Sequence, residues 1–384
     1  MSATAATGVW GDLIGQERVT AVLQRAIAGD SHAMTHAWLF TGPPGSGRSN
    51  AARAFAAALQ CQYGGCGECN ACRTSMSGAH PDVTLVRTEQ LSIGVDEIRD
   101  LVRRAAMTPT LGRYQVLVVE DADRVTERGA DALLKSIEEP APRTVWLLCA
   151  PTADDVVATI RSRCRRVELS TPTEQAIAEL LHRRDGVPAD LADFAAHVSQ
   201  GHIGRARALA RSEAARARRL EILGLPASLT SLGACLAAAA SVVKTASEEA
   251  SSITTDLDAR EKAELSEALG MGTKGAKPRN VQAALRDLED QQKARAKRLQ
   301  RDALDRVLTE LTSYYRDVLV LQTGAGASLV NTEFAEPLSS LASRTTPAST
   351  VRRLDAILDC RTALETNVAP LLAMEALMIS LSAG

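Results

Sequence analysis

The chain has 384 residues, too many for one ordinary hydrophobic core, and this predicts two or three domains. Hydrophobic residues make up 45% of it but aromatics only 3%, so the apolar content rests on Ala, Leu and Val, which favours a mostly helical build. A net charge of -2 excludes a global basic field for nucleic acid. No apolar run approaches bilayer length and residues 1–9 lack the regions of a signal peptide, so a cytoplasmic protein without a membrane partner is expected.

In chain order, residues 37–41, 83–87, 114–120, 144–150 and 166–169 read as strands. They are short, apolar and bounded by Gly, Pro or charge, as buried parallel strands are. Helices are predicted between them over 48–60, 95–107, 126–138 and 154–161, an alternation that argues for a doubly wound α/β domain with a parallel sheet. After Ser170 the strand pattern stops. Thr173 is placed to cap a helix, and 188–211 reads as two short helices broken at 201–204, together a small helical lid. Beyond Arg216 every pattern is helical, over 220–243, 294–321 and 351–381, with 270–279 a Gly- and Lys-rich exposed loop. The stretch 256–301 carries dense charge of both signs, with Glu and Lys/Arg four apart, which predicts a long exposed helix. The expected division is 1–170 for the α/β domain, 171–213 for the lid and 214–384 for an all-α domain.

Three motifs carry chemistry. Gly42-Pro43-Pro44-Gly45-Ser46-Gly47-Arg48-Ser49 has the spacing of a phosphate-binding loop between a strand and a helix, where glycines let N–H groups converge on phosphate. Ser49 is the candidate magnesium hydroxyl ligand, but Arg48 stands where the chemistry wants lysine, and a planar guanidinium replaces a compact charge poorly there. At the end of the third strand Glu120 and Asp121 occupy the place of a metal-binding acid and a water-orienting acid, in the reverse of the usual Asp–Glu order. Shifts of about 1 Å in such groups can cost roughly a hundredfold in rate. A nucleotide site that no longer hydrolyses is expected, binding ATP and magnesium weakly or not at all. Cys61, Cys66, Cys69 and Cys72 place four thiolates within twelve residues, among glycines that allow tight turns. Such a closed set suits structural zinc, with an iron–sulfur cluster or a redox dithiol as the alternatives. His36, His80 and His182 lack metal-ligand spacing and read as ordinary residues.

The phosphate loop, the four-cysteine insertion after its helix, the acidic strand end, Ala132-Leu133-Leu134-Lys135-Ser136-Ile137-Glu138-Glu139-Pro140 and Ser162-Arg163-Cys164 together resemble the bacterial clamp-loader ATPases of the AAA+ class. The resemblance covers residues 10 to about 210 and reaches the rest only in length and composition. It implies an α/β AAA+ domain with a helical lid and an all-α collar through which five subunits form a ring. Its partners would be gamma/tau and delta subunits, a sliding clamp and primed DNA. The resemblance makes Arg163 an arginine finger acting in trans on a neighbour's ATP, and Arg205, in Gly201-x2-Gly204-Arg205, the lid's nucleotide sensor. The altered loop (Gly42, Gly45, Gly47, Arg48, Ser49) and acid pair, and Ala150 where a polar sensor is expected, set the chain on the family's non-hydrolysing branch. A working gamma/tau-like motor is the alternative, and a zinc-dependent nucleic-acid module a third possibility. The polar neighbours Arg161, Arg165 and Arg166 read as a solvated or phosphate-contacting edge.

Overall fold

The computed structural model describes residues 8–29, 33–88, 92–268, 281–366 and 368–383. The chain divides into two compact units, Met1–Arg211 and Ser212–Gly384.

In the first unit, α1 (Glu17–Ile27) precedes β1 (Ala37–Thr41), which is followed by α2 (Arg48–Gln60), α3 (Asn70–Ser77), β2 (Val83–Val86) and α4 (Val95–Ala105). Then come β3 (Gln115–Val119), α5 (Glu127–Glu138), β4 (Thr144–Ala150), the single turn α6 (Ala158–Arg161) and β5 (Arg165–Glu168). All five strands pair in parallel in the order β2-β3-β4-β1-β5. β1, β3 and β4 are buried at every position, which explains their unbroken apolar runs. Side chains alternate between the two faces. Trp38, Phe40, Val116, Val118 and Leu147 meet α2 in one layer, while Leu39, Leu117, Val119, Trp146 and Leu148 meet α4 and α5 in the other. Helix α2 lies close to the sheet because its buried face is almost all Ala, with Phe55 filling the space against Trp38 at 5.0 Å between ring centroids. Thr126 caps α5 by accepting from Gly129 N–H.

The lid consists of α7 (Glu174–Arg183), α8 (Ala189–Ser199) and α9 (Ile203–Arg211) around a core of Ile177, Leu181, Ala195, Ala206 and Leu209, to which Ile14 adds. Thr173 caps α7 at 3.2 Å, as its sequence position predicts.

The second unit is all helix: α10 (Glu213–Ser228), α11 (Leu232–Ala268), α12 (Val281–Thr323), α13 (Ala335–Arg344), α14 (Pro347–Glu365) and α15 (Pro370–Ala383). Its core joins Ala239, Leu304, Leu308, Leu311, Tyr315, Ile357, Met374 and Met378. Among the described residues no helix is long and apolar enough to cross a membrane.

Four expectations need correction. The helix predicted over 154–161 begins only at Ala158, because Asp155 accepts from both Thr152 N–H and its hydroxyl and holds a turn instead. The run 220–243 breaks after Ser228, and Ser231 restarts α11 by accepting from Ala234 N–H. The run 351–381 breaks before Pro370, whose fixed φ suits a helix start. The charged stretch 256–301 is two helices, not one. Pairs between 258 and 292 and between 247 and 300 run in opposite order, so α11 and α12 are antiparallel, with Arg295 forking onto Asp258 and Glu261 at 2.5 Å each. The expected loop over 270–279 lies outside the described residues.

One buried carboxylate fixes the entry to β3. Asp82 is 1% exposed and accepts from the N–H groups of Thr110, Leu111 and Gly112 at 2.7, 2.8 and 2.6 Å. Burial alone would raise its pKa, but these three donors outweigh burial and hold it below the usual carboxylate range. A depressed pKa contributes stability above the unfolded value, near 4, that is lost as pH falls through the folded one. Asp82→Ala should therefore lower stability by about 3 kcal/mol in denaturant melts at pH 7. The gap between variant and parent should narrow below pH ~4, where the parent's carboxylate protonates.

Candidate nucleotide site and metal centre

The phosphate loop leaves the end of β1 and enters α2 through Gly47, which has a positive φ of 93°. Gly45 is required by close approach as well as by its φ of 82°: a Cβ there would fall on the His202 ring and lie 2.6 Å from His202 Cα. The lid therefore rests directly on the loop through the residue that starts α9. There His202 Nδ1 accepts from Arg205 N–H at 3.1 Å, so Arg205 stands on the first turn of that helix. Burial depresses the His202 pKa, and the charges of Arg205 and Arg48 add to the effect. Those charges place all three residues over one end of the sheet. Ser46 is 2% exposed and its hydroxyl has no hydrogen-bond partner.

The cationic side chains of the loop are engaged by the chain itself. Arg48 Nη1 donates back to Gly42 O. Arg53, one turn further along α2, donates from Nε and Nη2 to Glu120 Oε1 at 2.6 Å, and the Glu120 side chain is 7% exposed. Glu120, the acid expected to hold magnesium, is thus already neutralised by an arginine that sequence spacing does not single out. Nearby Asp123 is held above the usual carboxylate range by burial and by the Asp121 charge, against the pull of Arg124 and Arg48. Ala150 closes β4 fully buried, with no polar atom to offer. Ser49 occupies the second residue of α2 and is half-buried.

Arg163 sits elsewhere. It lies two residues before β5, and Arg165 pairs with Trp38 near the start of β1, whereas the loop leaves β1 after Thr41. Because β1 and β5 are parallel, the two sites are at opposite ends of the sheet, separated by roughly 16 Å of strand. Arg163 is 40% exposed; Nη1 donates to Thr159 O at 2.8 Å and Nη2 pairs with Glu138 at 2.5 Å. Arg161 pairs with Asp154, and Arg165 bonds Ala33 O at 2.6 Å and stacks over Trp38, so these neighbours have structural roles at the same edge.

The four predicted cysteines converge. Their sulfurs all lie within 4.8 Å of one another, with Cys61 to Cys66 and Cys61 to Cys69 at 3.7 Å. Tetrahedral coordination with Zn–S bonds of 2.3 Å puts ligand sulfurs about 3.8 Å apart, so a single ion such as zinc fits. In an iron–sulfur cluster the four cysteines would be divided among two or four irons, which would hold some of the sulfurs farther apart. N–H groups of Tyr63, Cys69 and Cys72 point at Cys61, Cys66 and Cys69 sulfurs at 3.3 to 3.4 Å, as thiolate ligands require. Burial raises the Cys61 pKa, but the surrounding N–H donors win and bring it down to about 6, while burial and the neighbouring sulfurs push Cys72 well up. A cation bound between them would hold all four as thiolates. The segment expected as tight turns contains a helix, α3, for which Cys69 is the cap. The remaining cysteines, Cys149, Cys235 and Cys360, are buried, and burial raises Cys164 to about 12, so none competes as a ligand. The His36 ring donates to Ile137 O, the His182 ring donates to Val187 O, and His80 accepts from Asp82 N–H, which are structural contacts as expected.

Residues 15–173 match the family model described as DNA polymerase III, delta subunit, and residues 285–383 match that of its C-terminal part. The chain belongs to the DNA polymerase III clamp-loader family. It is 40% identical over 154 residues to the DNA polymerase III subunit delta' of Pseudomonas aeruginosa, covering 38% of this chain and 47% of that one. With subunit delta' of Escherichia coli the identity is 34% over 197 residues, 50% of this chain and 58% of the relative. With subunit tau of Bacillus subtilis it is 33% over 176 residues, 45% of this chain and 31% of the relative. The chain thus spans a third to three fifths of these relatives' lengths. The delta-prime branch expected from the altered loop is the one supported, since the delta-prime relatives align over more of their own length and both family models are of the delta subunit.

The cysteine module also anchors Val9 and Trp10. Val9 N–H donates to Gly65 O and Trp10 Nε1 to Gly64 O, both at 3.1 Å, and a Cβ on Gly65 would lie 2.7 Å from Val9. Removing metal with a chelator, or substituting Cys72→Ser, should lower the melting temperature by several degrees. Limited proteolysis should then cut within residues 8–16, where the metal-loaded chain resists.

Proposed function

We propose that the chain is the stationary, non-hydrolysing subunit of a clamp loader that places a ring-shaped sliding clamp on primed DNA during replication. It works in the cytoplasm beside gamma/tau and delta subunits and carries a structural zinc ion. ATP is hydrolysed on a neighbouring motor subunit, with Arg163 stabilising the charge that develops on its γ-phosphate. The observation that carries this reading is the placement of Arg163 at the end of the sheet opposite the chain's own phosphate loop, out of reach of a nucleotide bound there. The loop's condition supports the same division of labour. Arg48 is engaged with Gly42 O, Glu120 with Arg53, and the lid's His202 with Gly45, so several groups that would meet a nucleotide and its magnesium ion are already met by the chain itself. Glu120, Asp121 and Arg205 remain as remnants of an ancestral nucleotide site. The three domains of this reading are the α/β domain 1–170, the lid 171–213 and the collar 214–384. A motor reading would need Arg48 to release Gly42 and Glu120 to release Arg53, and no contact in the site favours it.

In a loader reconstituted with gamma/tau and delta subunits, clamp and primed DNA, Arg163→Ala should reduce ATP turnover by about a thousandfold, the lower range for a trans arginine. Assembly should be unchanged on a sizing column, and the isolated parent chain should show no turnover. Unchanged turnover in an assembled complex would rule out the finger, and Ser49-dependent turnover by the isolated chain would restore the motor reading.

A further inference from the structure

Glu138 is the last residue of α5, and its only charged contact among the described interactions is the 2.5 Å ion pair to Arg163 Nη2. Both partners are about 40% exposed, so the pair contributes little to stability. Its geometry is nevertheless well fixed from below. On the Glu138 side, Ile137 is fully buried and its carbonyl is bonded by the His36 ring at 2.8 Å. On the Arg163 side, Ile160 is 2% exposed and its carbonyl accepts from Arg163 N–H at 3.0 Å. Both isoleucines belong to the same core layer. Two rigid supports thus bring a carboxylate and a guanidinium together at the sheet edge.

Arginine carries five N–H donors. Thr159 O and Ser162 Oγ take two from Nη1, and Glu138 takes one from Nη2. That leaves Nε and one Nη2 hydrogen to face outward. A long side chain held on one flank loses less freedom when it meets its target, and misplacement by about 1 Å can cost a hundredfold in rate.

We infer that Glu138 is a positioning residue for Arg163: it fixes the guanidinium so that its unused donors are presented across the subunit interface. The inference rests on the finger reading above. It gives the Glu of the 132–140 motif a role distinct from the helix packing served by Leu133 and Ile137.

The test uses the reconstituted loader with primed DNA and clamp, comparing Glu138→Ala, Glu138→Gln, Arg163→Ala and the double variant Glu138→Ala/Arg163→Ala. Glu138→Ala should lower kcat roughly tenfold, an effect of partial misplacement, with the KM for ATP and assembly unchanged. Glu138→Gln, which keeps an acceptor at the same reach, should recover most of that loss. The double variant should be no slower than Arg163→Ala alone, because a positioning residue has nothing to do once its partner is gone. A Glu138→Ala kcat equal to or above the parent's, or a double variant whose losses multiply, would overturn the inference while leaving the finger in place. An Arg163→Ala complex that turns over normally would remove the finger reading itself, and Glu138's role with it.

Discussion

All five strands of the sheet run the same way, and every other feature of the first unit follows from that constraint. A parallel sheet exposes two chemically different ends, since each crossover helix leaves from one and returns to the other. The phosphate loop must stand where β1 ends, and the Glu120–Asp121 pair where β3 ends, so both fall at the same edge. Residues that precede a strand fall at the opposite edge, which is where the segment before β5 puts Arg163 and where the end of α5 puts Glu138. On the proposed reading, a subunit built this way offers a nucleotide site at one end and a finger for a neighbour's nucleotide at the other. The two capacities are geometrically independent, so one can decay while the other is kept.

The phosphate-loop end is internally consistent. A phosphate loop concentrates positive groups and N–H donors, and an acid pair concentrates negative charge. Here each is met within the chain: Arg48 by a backbone carbonyl, Glu120 by Arg53, and the concave face at Gly45 by His202 from the lid. The close seating of His202 fits a ring held neutral by burial, since an imidazolium would face Arg48 and Arg205 across a short distance.

Much of this fold was legible because its local signals agree with its tertiary demands. The spans 37–41, 48–60 and 144–150 coincide with β1, α2 and β4, since short apolar runs bounded by Pro or Gly leave little choice of ends. The metal centre was legible because four cysteines within twelve residues need no distant partner to converge. What sequence reading missed depends on contacts between residues far apart in the chain. Nothing around Arg53 or Glu138 marks either as the partner of Glu120 or Arg163, since a salt bridge leaves no local pattern. Helix ends were missed where a small polar side chain, Asp155 or Ser231, competes with the backbone for a single hydrogen bond. The charged stretch was misread because i,i+4 pairing and pairing between two antiparallel helices draw on the same residue types.

The metal centre acquires its purpose from what it holds. No open coordination position remains once four sulfurs surround one ion, so its work is mechanical. The turn it stabilises offers the carbonyls of Gly64 and Gly65 to Trp10 and Val9, and the same short segment continues toward the lid. Asp12 pairs with Arg184 of the lid, Ile14 enters the lid's core, and the Gln16 amide bonds Ser170 O at 2.7 Å where the lid begins. Residues 8–16 therefore form a strap between the cysteine module and the lid. Through it the lid is tied to the cysteine module, apart from the phosphate loop.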